Sequence, residues 1–214
     1  MNAPIHREMP ESTLDATAAL AHASAKWDSD IVRQLTDYIA IPAKSPGFDK
    51  DWAANGHIDK VLRSAAQWVE EQKVEGLKLE LIRLEGRTPV IFFEVPASAG
   101  NGGGREAMSA AGPSPGAKAP SGGSEAHEVA SVGARGTVLM YGHMDKQPEF
   151  TGWRKDLGPW TPKYEDGKLY GRGGADDGYA VYASIAAVQA LKAQQLAHPR
   201  IVGLIETCEE SGSY

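Results

Sequence analysis

The chain of 214 residues has a single cysteine, Cys208. That excludes an intrachain disulfide framework and a cysteine-rich zinc knuckle, and it suits a reducing, cytoplasmic setting. No apolar run approaches the ~18–20 residues of a membrane-spanning helix. The N-terminal stretch MNAPIHREMPESTLDATAALAHASAKWD has no apolar core of signal-peptide length. Basic residues are outnumbered, 22 Lys and Arg against 28 Asp and Glu, and form no stripe. A nucleic-acid partner is disfavoured on that count, and a membrane partner by the missing apolar run. What remains is an ordinary globular composition, 42% hydrophobic and 23% charged, long enough to bury a sizeable core.

Residues 1–25 read as a flexible leader or a poorly anchored helix. In SDIVRQLTDYIAIP, Ile31, Val32, Leu35, Tyr38 and Ile39 fall on one helical face. Ser29 or Asp30 can cap its start, and Pro42 ends it. In GHIDKVLRSAAQWVEEQKVEG, Ile58, Val61, Leu62, Ala65, Val69 and Gln72 keep the same spacing, with Gly76 as terminator. Both helices are expected to pack on a core and to do no chemistry. LKLELIRL and PVIFFEVP read as strands, the first alternating. GTVLMYGHMD (136–145) is a continuous apolar run, expected to be a strand buried on both faces. Asp166-Gly167 marks a hairpin, GYAVYASIAAVQALKAQQ a deeply packed helix, and RIVGLIETC a last buried strand. This order predicts an α/β layered domain with a largely parallel or mixed sheet. Residues 97–136, dominated by Gly, Ala, Ser and Pro, read as a low-complexity loop between two strands of that sheet, or less readily as a domain linker.

Three short stretches can carry chemistry. In YGHMDKQP, His143 and Asp145 are two apart, so both side chains leave a strand on one face. A carboxylate can then hold one imidazole nitrogen and free the other for a metal; a chance surface pair is the alternative. In YGRGGADDGY the glycines permit close backbone approach, and Asp176-Asp177 open a buried helix. A helix cap accounts for one aspartate and leaves the other unexplained; a phosphate cradle is disfavoured, since two acids repel phosphate. In ETCEESGS, Glu209 and Glu210 face one site only if the chain leaves strand geometry at Cys208, and otherwise form a solvated pair. Taken together, His143, Asp176 and Glu210 lie at strand ends or strand-to-helix turns, where open α/β sheets bind ligands. An imidazole with carboxylates suits zinc or a similar divalent ion at an open, catalytic site.

In order and spacing, GHMDKQP, WTPKYEDGKLYGRGGADD and ETCEESGS resemble the signatures of a co-catalytic di-zinc exopeptidase and deacylase family. Its members include carnosine-type dipeptidases, glutamate carboxypeptidases, acetylornithine deacetylase, succinyl-diaminopimelate desuccinylase and aminoacylases; the dipeptidase branch is the nearest. The resemblance covers about residues 28–214 and implies an αβα zinc-exopeptidase-like catalytic domain. It assigns metal ligation to His143, Asp176 and Glu210, with Asp176 bridging two Zn2+ ions (Mn2+ or Co2+ as substitutes) and followed by a cis peptide. It makes Asp145 the orienter of His143, and Glu209 the general base for a metal-bridged water. The implied substrate is a small peptide or N-acyl amino acid, and the implied full-length enzyme is a homodimer. Gly178-Tyr179 depart from the family's usual Lys-Gly.

A further acidic ligand, a late histidine and a lid or dimerisation domain have no counterpart within residues 26–214. The chain therefore reads as the N-terminal part of a longer enzyme, or alternatively as a truncated, non-catalytic chain with an incomplete metal site. A Cys208 nucleophile paired with His143 is a minor alternative, because a cysteine in an apolar run usually acts as a small buried hydrophobe. Trp153 and Trp160 flank the motifs and either pack or line a substrate cleft. The remaining histidines, His57 and His198 among them, are read as structural.

Overall fold

A computed structural model describes residues 13–99 and 136–213. The leader's first twelve residues and nearly all of the 97–136 stretch lie outside the described residues. Helix α1 (Ala16–Lys26) is capped by Asp15, whose side chain accepts from the N–H groups of Thr17 and Ala18, and it buries none of its residues. The chain continues through a π-helical turn (Trp27–Ile31) into α2 (Val32–Ile39). The helix expected to start at Ser29 or Asp30 therefore has no cap there. Asp30 is used sideways instead, accepting from Trp68 Nε1 at 3.0 Å and pairing with Lys26 at 3.0 Å. The short α3 (Trp52–Asn55) and α4 (His57–Glu71) follow. α4 stops before Gly76: Lys73, at φ 50, already occupies the left-handed region that ends the helix.

Strands β1 (Lys78–Ile82), β2 (Val90–Val95), β3 (Thr137–His143) and β6 (Arg200–Glu206) form one sheet in the order β1-β2-β6-β3. β1 with β2 and β2 with β6 are antiparallel, whereas β3 with β6 is parallel, so the sheet is mixed. Between β3 and β6 come the hairpin strands β4 (Lys163–Glu165) and β5 (Lys168–Tyr170) and helix α5 (Ala180–Ala193). Asp166 and Gly167 turn that hairpin at φ 50 and 75, the pair of positive values its two-residue loop requires.

Alternation along the strands decides where the core sits. Ile91, Phe93, Val95, Ile201 and Ile205 point to one face and pack with residues of α2, α4 and α5, including Leu35, Tyr38, Ile39, Leu62, Trp68, Tyr182 and Ile185. The described residues thus supply the sheet and one helical layer of the expected αβα arrangement. β6 is central and well covered. β3 is not: it is an edge strand whose Leu139 and Tyr141 are 63% and 49% exposed, against the expectation of burial on both faces. An apolar run records the tendency to be buried, but burial on both faces needs a layer on each, and Leu139 and Tyr141 point away from the helices. Among the described residues β3 has only β6 beside it.

Gly203, in the middle of β6, faces the Phe93 ring so closely that an added Cβ would lie 1.9 Å from its Cε1. Overpacking of this kind costs about 1–3 kcal/mol. Gly203→Val is expected to destabilise the fold by at least that much in chemical denaturation, and an unchanged midpoint would contradict this packing.

Candidate metal site

The parallel β3–β6 pair sets His143 opposite Glu206, so both strands finish at the same edge of the sheet and the loops after them meet. β6 ends at Glu206, Cys208 has left strand geometry (φ −146, ψ 12), and Glu209–Ser211 form a single 3-10 turn. That departure is what lets two adjacent glutamates approach one point. The third contributor, Asp176, sits in a distorted π-helical turn (Gly174–Gly178) that leads into α5. Its backbone is extended (φ −133, ψ 92), and the Asp176–Asp177 peptide is cis, the isomer that the resemblance implies.

One ligand atom from each of His143, Asp176 and Glu210 lies within 4.8 Å of the other two. His143 Nε2 is 3.4 Å from Asp176 Oδ1 and 3.6 Å from Glu209 Oε2. Two donors bound at ~2.0–2.1 Å to a tetrahedral ion stand roughly 3.3–3.4 Å apart, so the His143–Asp176 spacing already has the dimension a shared ion needs. Three protein donors also leave a fourth position open, the pattern of catalytic zinc sites.

Asp145 organises the cluster from beneath. Its carboxylate is fully buried and lies 3.3 Å from His143 Nδ1, which is also 3.2 Å from the Asp145 backbone carbonyl. It also accepts from the backbone N–H groups of Glu209 (3.2 Å) and Glu210 (3.1 Å). One side chain therefore orients the imidazole and holds the turn that carries both glutamates. The sequence reading assigned only the first of these tasks. Asp177, the aspartate left unexplained there, accepts from the backbone N–H of His143 at 3.3 Å and ties the α5 entry to the end of β3.

The electrostatics call for a cation. Burial raises the Glu210 pKa, as do the charges of Asp176 and Asp145, while Gln147 and His143 act in the opposite direction. Burial likewise raises that of Asp177, assisted by Asp176 and Glu209. Gln147 Nε2 donates to Glu210 Oε2, but the other oxygen, Oε1, is buried and accepts no hydrogen bond among the described residues. An orphaned carboxylate oxygen among like charges is costly, and a divalent ion removes that cost. The residues present therefore fit a bound metal.

Other singled-out residues fall elsewhere. Cys208 is buried and does not belong to the donor group. Trp153 Nε1 donates to the Glu149 carbonyl, and the Trp160 ring lies 5.2 Å from Lys146 Nζ. His57 opens α4; His198, read as a loop residue, is buried, with its backbone exchanging hydrogen bonds with Ser98.

The fold and site together define a mixed α/β domain with an imidazole–carboxylate cluster at its strand ends. Residues 139–214 match the model of peptidase family M20/M25/M40. A human Beta-Ala-His dipeptidase is 44% identical over 89 residues, covering 40% of this chain and 17% of its own length. A succinyl-diaminopimelate desuccinylase of Methylobacillus flagellatus is 40% identical over 81 residues, 37% of this chain and 22% of its own. In three dimensions 92% of the chain superimposes on human carnosine dipeptidase 1 (TM-score 0.57, 24% identity) and on a di-peptidase from Saccharomyces cerevisiae (TM-score 0.58, 22% identity), and these likenesses show the fold. The chain spans 35% of each of those two solved chains. No helix among the described residues is long and apolar enough to cross a membrane.

Burial opposes protonation of His143, but the hydrogen bond and charge of Asp145, with Glu209 and Asp177, outweigh it and raise the ring's pKa to about 9. An unfolded histidine titrates near ~6.5. The folded pKa is the higher one, so this ion pair stabilises the metal-free fold fully below ~6.5, and the contribution is lost as pH rises through about 9. Imidazole NMR of metal-free protein is expected to show His143 titrating near that upper value, and Asp145→Asn to bring it down. A midpoint near ~6.5 in the unmutated protein would contradict the pairing.

Proposed function

We propose that the protein is a metal-dependent hydrolase of peptide or N-acyl amide bonds in small substrates, acting in a reducing, cytoplasmic setting. The observation that carries this reading is the meeting of His143, Asp176 and Glu210 at one point of a peptidase-family segment. These three side chains would hold the ion, for which zinc is the best match to one imidazole and two carboxylates, with Mn2+ or Co2+ as substitutes. When bound, such an ion supplies a Lewis acid for the substrate carbonyl and makes water acidic enough to attack near neutral pH.

The chain's own residues do the rest. Glu209 faces the same imidazole, and its carboxylate is partly open to solvent. It is placed to take a proton from the attacking water and to hand it to the departing amine. Asp145 keeps His143 Nδ1 engaged and Nε2 turned toward Asp176. The names of the relatives, a Beta-Ala-His dipeptidase and a succinyl-diaminopimelate desuccinylase, support small amide substrates of either kind. A second ion, which Asp176 would help to hold, and a homodimeric state belong to the same proposal.

A second reading, a non-catalytic chain with an incomplete site, is favoured by one observation. The metal-competent group among the described residues has three members, too few to saturate two ions. Elemental analysis separates the readings, since two tightly held ions per chain would contradict the second. For the first, Glu209→Gln is expected to lower dipeptide or N-acyl amino acid turnover by about 10²–10⁴-fold while metal content stays unchanged. Removing metal with a chelator is expected to abolish turnover reversibly. Turnover that survives both treatments would remove the mechanism.

A further inference from the structure

Three residues beyond His143, the strand-end loop drives a lysine into the protein. Lys146 is 0% exposed. Its Nζ donates to the carbonyl oxygens of Tyr38 (2.8 Å), Ile39 (3.3 Å) and Ile41 (2.7 Å). These are carbonyls at and just beyond the end of α2, where a helix runs out of its own donors. Three acceptors match the three N–H bonds of an ammonium, and the negative end of the helix dipole favours that charge. Nζ also lies 3.8 Å from the centre of the Tyr38 ring, over its electron-rich face. Burial pushes the lysine's pKa down, to about 6; carbonyl dipoles, a helix C-terminus and an aromatic face each favour the charged form against that push.

The same short segment touches every loop that carries a site residue. Tyr38 Oη donates to the carbonyl of Met144 at 3.2 Å, and the backbone N–H of Ser45 donates to the carbonyl of Lys146 at 3.0 Å. On the Asp176 side, an added Cβ at Gly173 (φ 84) would lie 2.8 Å from Lys146 Cγ, and one at Gly178 2.1 Å from Tyr38 Cε1. The lysine stem and the tyrosine ring are thus the surfaces against which both flanks of Asp176 rest. On the glutamate side, Ser211 Oγ hydrogen-bonds Ser45 Oγ and accepts from Gly47 N–H at 2.7 Å. The β3 loop, the α5 entry and the 3-10 turn are all referenced to residues 38–47.

We propose that Lys146 is a positioning residue of the metal site: its ammonium, clasped by the α2-end carbonyls, fixes the distance from His143 to Asp176 and thereby the geometry in which an ion is held. This rests on the reading that His143, Asp176 and Glu210 hold a divalent ion. Losing a supporting contact of this kind typically costs about 10–100-fold in metal affinity.

The test titrates Co2+ into metal-free protein and follows its visible absorption, which reports coordination geometry, in the unmutated chain, Lys146→Met and Lys146→Gln. Absence of a Co2+ spectrum in the unmutated chain would sink the metal reading and the inference with it. If the unmutated chain binds, Lys146→Met is expected to bind about 10–100-fold more weakly, with an altered spectrum and an unchanged far-UV circular dichroism signal. Unchanged affinity, or weaker binding with the same spectrum, would overturn the positioning role. Should Lys146→Met fail to fold, Lys146→Gln decides. It keeps an amide donor but loses the charge and one N–H, and is expected to weaken Co2+ binding by about 2–10-fold with an altered spectrum, whereas no change would overturn the proposal.

Discussion

A single buried carboxylate connects the parts of this site. Asp145 meets His143 Nδ1 on one side and the backbone N–H groups of Glu209 and Glu210 on the other. Residues more than sixty positions apart in sequence are thereby held in one frame. A neutral side chain of the same shape accepts less well from two N–H groups and a ring, because bonds to an ionised acceptor are roughly twice as strong as neutral ones. Its full burial is tolerated because its neighbours donate to it. The negative charge it adds then has to be answered, along with those of Asp176, Asp177, Glu209 and Glu210.

The fold makes that meeting geometrically simple. Parallel pairing brings β3 and β6 to a common edge, and α5 begins beneath that edge because the chain must cross over between the two strands. Strand ends, a helix entry and a short turn converge without any long excursion of the chain. Behind them the end of α2 acts as a common reference, with Lys146 and Tyr38 as its contact surfaces. Helix, sheet and site are linked through hydrogen bonds to backbone carbonyls, which are less easily displaced than exposed side-chain pairs such as Arg154 with Asp156.

Much of this was legible in the residues. Alternation in β1, the helical spacing in α4 and the Asp166-Gly167 turn each follow from local rules that the tertiary structure leaves intact. His143, Asp176 and Glu210 were selected as metal ligands from their residue types and their places in the predicted elements, and the structure sets them side by side. Other features depend on context that a linear pattern does not carry. The apolar run of β3 gave no sign that the strand lies at an edge. The helix read as starting at Ser29 or Asp30 extends back to Ala16, because the π-helical turn at Trp27–Ile31 joins two segments without a cap. Nothing in the sequence singles out Lys146, since three accepting carbonyls at a distant helix end leave no mark there. α2 packs on the core as expected, and carbonyls at and just beyond its end also accept from Lys146.

The central claim is that His143, Asp176 and Glu210 share a divalent ion, and anomalous diffraction from crystals grown with Zn2+ tests it most directly. The account predicts a peak at the zinc absorption edge within about 2.0–2.2 Å of one nitrogen of His143 and one oxygen each of Asp176 and Glu210. A peak bound elsewhere on the chain, or these three side chains turned away from one another with no ion between them, would contradict it.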